Sequence, residues 1–493
     1  MNDALQQDLS ELSLETPVAD LIKSEPLLCL PETPLREAFE RMHKARVGSI
    51  VVVNTFLEPV GILTRYDLIH RIILPGTPLT APISSVMSPE VICAPAHWSV
   101  MEAMISMATH GIRHLPIVAE GRLKGIISES DLVRHQRESL RSLSAMIARA
   151  PDLQTLAQVS RTIRQLAHRL LTEGLAATSV ARLVSHLNDA MTKRTLALVS
   201  DRDPSLLAGL PEWSWLALGS EGREEQTVAT DQDNAIVFAA ASAEEAQRLR
   251  PQFLRLAAQM NDALAEIGFP LCKGGVMAQH EKWCRSLEEW KETMSDWFRR
   301  PTPEKLLDAH TFLDFRPLTG ALHLSETLRD WVTTEVKMHP LFLRELAQDS
   351  MRSSVGDLPR PVFFSAIARW LRRKNLPGNW ISPDRLDIKK DATAPVVAWS
   401  RVLALMNGIP ATSTDGRLAG LQALGKVQRS EGEAIREAFD LTQRYRLRAQ
   451  LAGSDQPNAL LLDPLSLHEI DQLTYALDEL ARVKDAVRLD LRL

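Results

Sequence analysis

Apolar and polar positions in the amino-terminal third of the chain follow one pattern twice. A helix-spaced stretch from Pro34 to Lys44 leads to the β-branched run Ser49-Ile-Val-Val-Val53 and then to Gly61-Ile-Leu-Thr-Arg-Tyr-Asp67-Leu68. The same order returns as Ser99 to His110, Leu115-Pro-Ile-Val118 and Gly125-Ile-Ile-Ser-Glu-Ser-Asp131-Leu132. β-Branched runs bounded by glycine and polar residues predict strands, and apolar residues three and four apart predict helices, so each copy reads as a β-α-β-β-α unit. Both copies place Ser or Thr three positions before Asp, Thr64 with Asp67 and Ser128 with Asp131. That spacing caps a helix start.

From Ser139 to Val199 the pattern is helical, with a seam at Leu156, Val159, Ile163, Leu166 and Leu170 that Gly174 interrupts. So short a seam suits an intramolecular helical bundle better than an inter-subunit coil. The apolar runs Trp215–Leu218 and Ala235–Ala241 predict two neighbouring buried strands, and Thr311–Gly320 a third that carries Asp314. Beyond Glu335 the chain is helix-patterned, with breaks at Pro377, Ser382 and Asp415. The expected organisation is multidomain α/β plus α: a tail (1–15), the repeated module (16–137), a helical linker (138–204), an α/β domain (205–334) and a helical carboxy-terminal domain (335–493).

Composition changes this picture little. With 493 residues, 45% hydrophobic and 24% charged, the chain is an ordinary globular protein, and its net charge of −5 without a Lys/Arg block argues against a nucleic-acid partner. The amino terminus is acidic and no apolar run reaches membrane-spanning length, so a cytoplasmic location and no membrane partner are expected. Cys29, Cys93, Cys272 and Cys284 form no CxxC pair and sit among apolar neighbours, as structural thiols do.

The chemistry concentrates between Leu216 and Phe238. Alternation along a strand sends Asp231 and Asp233 to one face and Gln232 to the other. Two close carboxylates repel unless a cation holds both ionised, and hard oxygen ligands suit Mg²⁺, or Mn²⁺ in its place. The Gly219-Ser220 turn offers backbone N–H groups and a hydroxyl to a phosphate. Arg223 and Arg316 lie near these motifs as phosphate clamps or as structural ion pairs. Trp283, Trp290 and Trp297 recur every seven residues, the mark of a packed helix face. Lys273-Gly274-Gly275 reads as a hairpin turn or as a close backbone approach to a nucleotide, and Lys389 as a surface lysine rather than a phosphate ligand.

Gly219-Ser220, the Asp231/Asp233 pair and the later Asp314-Phe-Arg-Pro together resemble the nucleotidyltransferase superfamily, in particular its protein-PII uridylyltransferase and glutamine synthetase adenylyltransferase branch. The segment Cys272–Ala278, the tryptophans and the stretch Leu386–Leu405 resemble a bacterial group in which such a transferase follows regulatory domains and precedes a helical domain. The resemblance implies a mixed sheet, an NTP substrate held by Gly219, Ser220, Arg223 and Arg316, and Mg²⁺ on Asp231, Asp233 and Asp314. Asp314 would also activate an acceptor hydroxyl, with a regulatory protein as the expected acceptor; Glu221, Glu224 and Glu225 are next in line for that role. The repeat resembles a pair of cystathionine β-synthase (CBS) domains, which implies AMP, ADP or ATP at Thr64, Asp67, Ser128 and Asp131 and a homodimer formed through the pair. A different class of function stays open: an adenine-nucleotide-sensing binding protein whose transferase fold is catalytically silent.

Overall fold

A computed structural model describes residues 17–22, 25–351, 385–453, 456–462 and 464–490. The expected breaks at Pro377 and Ser382 lie outside the described residues. The chain divides into two compact units between Met146 and Ile147.

In the first unit both copies of the repeat build the same small sheet. β1 (Leu28–Cys29) pairs parallel with β2 (Ser49–Val53), which pairs antiparallel with β3 (Pro59–Thr64); α1 (Leu35–Ala45) joins β1 to β2. The second copy repeats this with β4 (Ala94–Pro95), α2 (Val100–His110), β5 (His114–Ala119) and β6 (Arg122–Ser128), followed by α3 (Glu129–Arg149). All five residues of β2 are buried, because one face meets its own helix and the other, through Val51 and Val53, meets Leu123 of the second copy. The helix closing the first copy is a single π-helical stretch, Leu68–Ile73.

The second unit opens with α4 (Leu153–Thr172), started by Asp152 accepting from Thr155 N–H, and α5 (Ala177–Arg202). Leu156, Val159 and Ile163 of the seam are buried and α4 packs on α5, so the seam is intramolecular; Gly174, at φ +86°, makes the break. A four-stranded mixed sheet follows in the order β10-β7-β8-β9, from β7 (Trp213–Ala217), β8 (Asn234–Phe238), β9 (Cys284–Ser286) and β10 (Arg316–Gly320). Its neighbours are α6 (Ala243–Glu266), α7 (Leu287–Arg299), α8 (Pro303–Phe312), α9 (Leu322–Glu335) and α10 (Pro340–Met351). Trp283, Trp290 and Trp297 are core, with Trp290 stacked on Phe312 and its indole N–H donating to Ile236 O of β8.

Three sequence expectations shift here. Asp231 to Asp233 form the extended lead into β8 and not its first residues, and Thr311 and Phe312 close α8, which leaves Asp314 in the turn before β10. An apolar run of that length fits a helix end as well as a strand, and local pattern cannot separate them. The carboxy-terminal part comprises α11 (Ala394–Met406), α12 (Thr414–Ala423), α13 (Arg429–Leu451) and α14 (Leu467–Asp490), accompanied by a two-stranded ribbon of β11 (Arg385–Asp387) and β12 (Ala459–Leu461). Asp415 does not break a helix; it lies in the first turn of α12, which Ser413 caps. No helix among the described residues is long and apolar enough to cross a membrane.

Candidate active site

Between the end of β7, the lead into β8 and the carboxy-terminal helices lies a cleft of about 900 Å³, within the ordinary range for small-ligand sites. Gly219 and Ser220 line it from a four-residue helical turn directly after β7. Gly219 sits at φ +53°, and a Cβ there would stand 2.9 Å from Asp233 Oδ2, so glycine is what lets the turn and the carboxylate approach. Gly222 is tighter. A Cβ would fall 2.1 Å from Asp314 O and 2.9 Å from Ala217 O, both backbone atoms. Gly222→Ala is expected to lower stability by about 1–3 kcal/mol by forcing strand and turn apart, read as a lower denaturation midpoint.

Asp231 and Asp233 both line the cleft while Gln232 points into the core, as strand alternation predicts. Gln232 fixes the segment from below: its Nε2 donates to Asn261 O (2.9 Å) and Phe269 O (2.8 Å), and its Oε1 accepts from Asn261 Nδ2 (2.6 Å). The loop before it is tied from outside the sheet. Gln226 N–H donates to Ser185 Oγ of α5, Ala229 N–H to Gln450 Oε1 of α13, and Glu225 accepts from Thr414 N–H of α12.

The acidic pair has a third member that sequence reasoning set aside. Ligand atoms of Asp231, Asp233 and Cys272 all lie within 4.8 Å of one another. Burial, then the charge of Asp231, pushes the Asp233 carboxyl up to about 6, and burial with the nearby Asp233 pushes the Cys272 thiol up to about 11. This donor set fits a divalent cation, whose charge would relieve the repulsion. The thiol is a softer donor than Mg²⁺ prefers and suits Mn²⁺ or Zn²⁺ better. Cys272 is held beside the pair by backbone bonds on either side of it, Gln232 N–H to Pro270 O and Asn234 N–H to Val276 O; no spacing in the sequence announces this placement.

Asp314 does not join that group. It is fully buried, and three guanidinium groups converge on its carboxylate: Arg223 (2.7 Å), Arg401 (2.8 Å to Oδ1) and Arg417. Burial alone would raise this carboxyl, but the arginines, Arg401 foremost, hold it well below the usual range. The flanking peptides are held too, since Arg329 donates to Leu313 O and Phe315 O. Its surroundings are those of an ion-pair hub, in place of the expected metal ligand and acceptor-activating group. Arg316 is likewise committed, bidentate to Asp189 (2.8 and 3.0 Å) and donating to Glu221 O, so the structural alternative describes it. Arg223 does both things, lining the cleft while paired with Glu225 and Asp314.

Of the reserve carboxylates, Glu221 is pushed up to about 8 by burial and by Asp189, while Glu225 is occupied by Arg223 and Thr414. Glu224 takes a left-handed conformation, φ 59°. Lys389 is exposed, as the surface reading expects, and it also lines the cleft. His310 and Arg401 also line it; His310 Nδ1 accepts from Arg401 and Nε2 donates to Asp349, the neutral tautomer that burial favours.

In the first unit, Thr64 and Asp67 line a separate cavity of about 660 Å³ with Arg65, Arg113 and His114. Both Ser/Thr–Asp pairs form the capping contact, Thr64 Oγ1 to Asp67 at 2.7 Å and Ser128 Oγ to Asp131 at 2.6 Å. Ser128 and Asp131 are not among the residues lining this cavity.

A sheet with paired carboxylates at a Gly-Ser turn, capped by a helical domain and preceded by a repeated β-α-β-β-α module, defines a nucleotidyltransferase-type protein with a CBS pair. Family models agree: "CBS domain" matches residues 18–74 and 83–138, "Putative nucleotidyltransferase DUF294" residues 161–304, and "Putative nucleotidyltransferase substrate binding domain" residues 363–491. The chain belongs to the CBS-domain proteins that carry the DUF294 nucleotidyltransferase domain and its carboxy-terminal substrate-binding domain. It is 33% identical over 129 residues to the CBS domain-containing protein YhcV of Bacillus subtilis, covering 26% of this chain and 91% of that protein. It is 36% identical over 107 residues to the protein MK0525 of Methanopyrus kandleri, covering 21% of this chain and 55% of that protein, so it spans about half the length of that relative. Among solved structures, a conserved protein from Pyrococcus horikoshii matches at 34% identity over 25% of this chain and 95% of that chain, with a TM-score of 0.25. A CBS domain protein from Pyrobaculum aerophilum complexed with AMP matches at 22% identity over 25% of this chain and 98% of that chain, with a TM-score of 0.23.

Proposed function

We propose that the second unit transfers a nucleotidyl group from an NTP to an acceptor hydroxyl, carried by a regulatory protein as the resemblance implies. The observation that carries this reading is the convergence of Asp231 and Asp233 beside the Gly219-Ser220 turn in a cleft otherwise rich in Arg and Lys. Asp231 and Asp233, with Cys272, are the residues that would hold a divalent cation, which when bound neutralises phosphate charge and orients the phosphates. Gly219 and Ser220 offer backbone N–H groups and a hydroxyl to the phosphate tail, and Arg223 adds a fixed positive charge. The acceptor oxygen attacks the α-phosphorus in line and pyrophosphate leaves, a reaction in which positioning and charge stabilisation supply most of the acceleration. Asp314 acts only through the arginines that it anchors. The test incubates the full chain with α-phosphate-labelled NTPs, a divalent metal and cell lysate; label on an acceptor is the expected result, and none with any NTP or metal refutes transfer.

A second reading, nucleotide binding without transfer, draws on one observation: the third carboxylate is committed to arginines. The same assay separates the two.

We infer further that the Thr64/Asp67 cavity takes an adenine nucleotide, its ribose hydroxyls bonding to Asp67 and its phosphates facing Arg65 and Arg113. Calorimetry on the full chain is expected to show AMP, ADP or ATP binding that Asp67→Ala weakens about fivefold to tenfold. Binding unaffected by that change would place the effector elsewhere.

A further inference from the structure

We propose that Arg446, Lys389 and Gln443 form a receptor for the polyphosphate and an adjoining hydroxyl of the nucleotide, built by the carboxy-terminal helices on the wall of the cleft. It rests on the reading of that cleft as a nucleotide site and adds Arg446 and Gln443, which neither the sequence motifs nor the metal group includes, to Lys389.

Arg446 is only 6% exposed, yet among the described residues it has no carboxylate within ion-pair distance. Among the described residues its one side-chain partner is Asn458, whose Oδ1 accepts from Nε at 3.0 Å and leaves the two terminal nitrogens to the cleft that Arg446 lines. A buried guanidinium without a counter-ion is costly, so Arg446 favours an anion in the cleft that it lines. Gln443 lies one turn earlier on the same face of α13 and also lines the cleft. It is 2% exposed, and among the described residues its Oε1 has no hydrogen-bond partner. Burial of an unmet acceptor costs about as much as a lost hydrogen bond, so this oxygen asks for a donor. Lys389, from the π-helical turn Lys389–Thr393, brings a second cation to the same cavity, and among the described residues it too has no ion-pair partner.

Two cations and one acceptor, side by side, specify the ligand's chemistry. A guanidinium presents its N–H groups in a fork that matches phosphate oxygens, and an ammonium adds a point charge. The Gln443 Oε1 accepts from a hydroxyl, as a ribose carries, and not from the phosphate itself. Asp231 and Asp233 line the same cleft, so a phosphate tail seated on Arg446 and Lys389 lies between this wall and the acidic pair.

Inorganic tripolyphosphate, titrated into the full chain without divalent metal and followed by calorimetry, isolates the receptor from the metal group. Wild type is expected to bind it, and Arg446→Met and Lys389→Met each to weaken binding about tenfold or more. Arg446→Lys should recover part of the loss, which a packing defect would not. Gln443→Leu should leave tripolyphosphate affinity unchanged and weaken a non-hydrolysable NTP. The Asp231→Asn/Asp233→Asn double variant should keep metal-free binding and lose only its enhancement by Mn²⁺ or Mg²⁺. Absence of wild-type binding, or affinity unchanged in both Met variants, overturns the receptor. Loss of label transfer with tripolyphosphate binding intact would refute the transferase reading instead.

Discussion

Asp231→Asn is expected to abolish metal-dependent nucleotidyl transfer while the fold stays intact, and Asp233→Asn to do the same. Each removes one anionic ligand from a pair in which burial, and then the charge of Asp231, push the Asp233 carboxyl up to about 6. The lost charge relaxes that repulsion, so the metal-free denaturation midpoint is expected to stay level or rise. Loss of transition-state stabilisation through a missing metal ligand amounts to about a thousandfold in rate or more, several kcal/mol. Label transfer compared across the two variants and wild type reads this directly. Wild-type rates in both would remove the carboxylates from the mechanism.

The opposite balance holds at Asp314, where Asn substitution is expected to damage the fold before the chemistry. Neutralising the hub leaves Arg223, Arg401 and Arg417 facing one another in a buried space with their shared counter-charge gone. Breaking a buried ion pair on one side costs about 3–5 kcal/mol, and here one change strands three partners. Chemical denaturation of Asp314→Asn checks it. The pH dependence has a definite sign: the folded carboxyl is held well below its ordinary value, so its stabilisation is present above the usual carboxylate range and is lost as pH falls through the depressed value. Wild-type stability combined with lost transfer would return Asp314 to the role of acceptor activator.

Asp314 also shows where sequence reading stops. A lone aspartate in an apolar run signals that a partner exists, but whether the partner is a metal or an arginine depends on α11 and α12, which deliver Arg401 and Arg417 from far along the chain. The repeat, the capping pairs, the tryptophan core and the outward pair Asp231/Asp233 were legible, because each follows from local spacing. The place of Cys272 beside the acidic pair was hidden for the same reason. Polar groups flanked by apolar residues look like surface or packing positions until a distant segment closes over them.

That dependence on distant segments gives the cleft an order of assembly. Thr178 bonds to Asp440, Ala229 to Gln450 and Glu225 to Thr414, contacts that close loops of roughly two hundred residues and gain nothing until both ends are present. A growing chain that has released the carboxylate pair still lacks α13, the helix that bears Gln443 and Arg446. On a ribosome that emits its chain from the amino terminus, the site therefore comes into being only once α13 has emerged, and a product truncated before α13 carries the acidic pair without the wall that faces it.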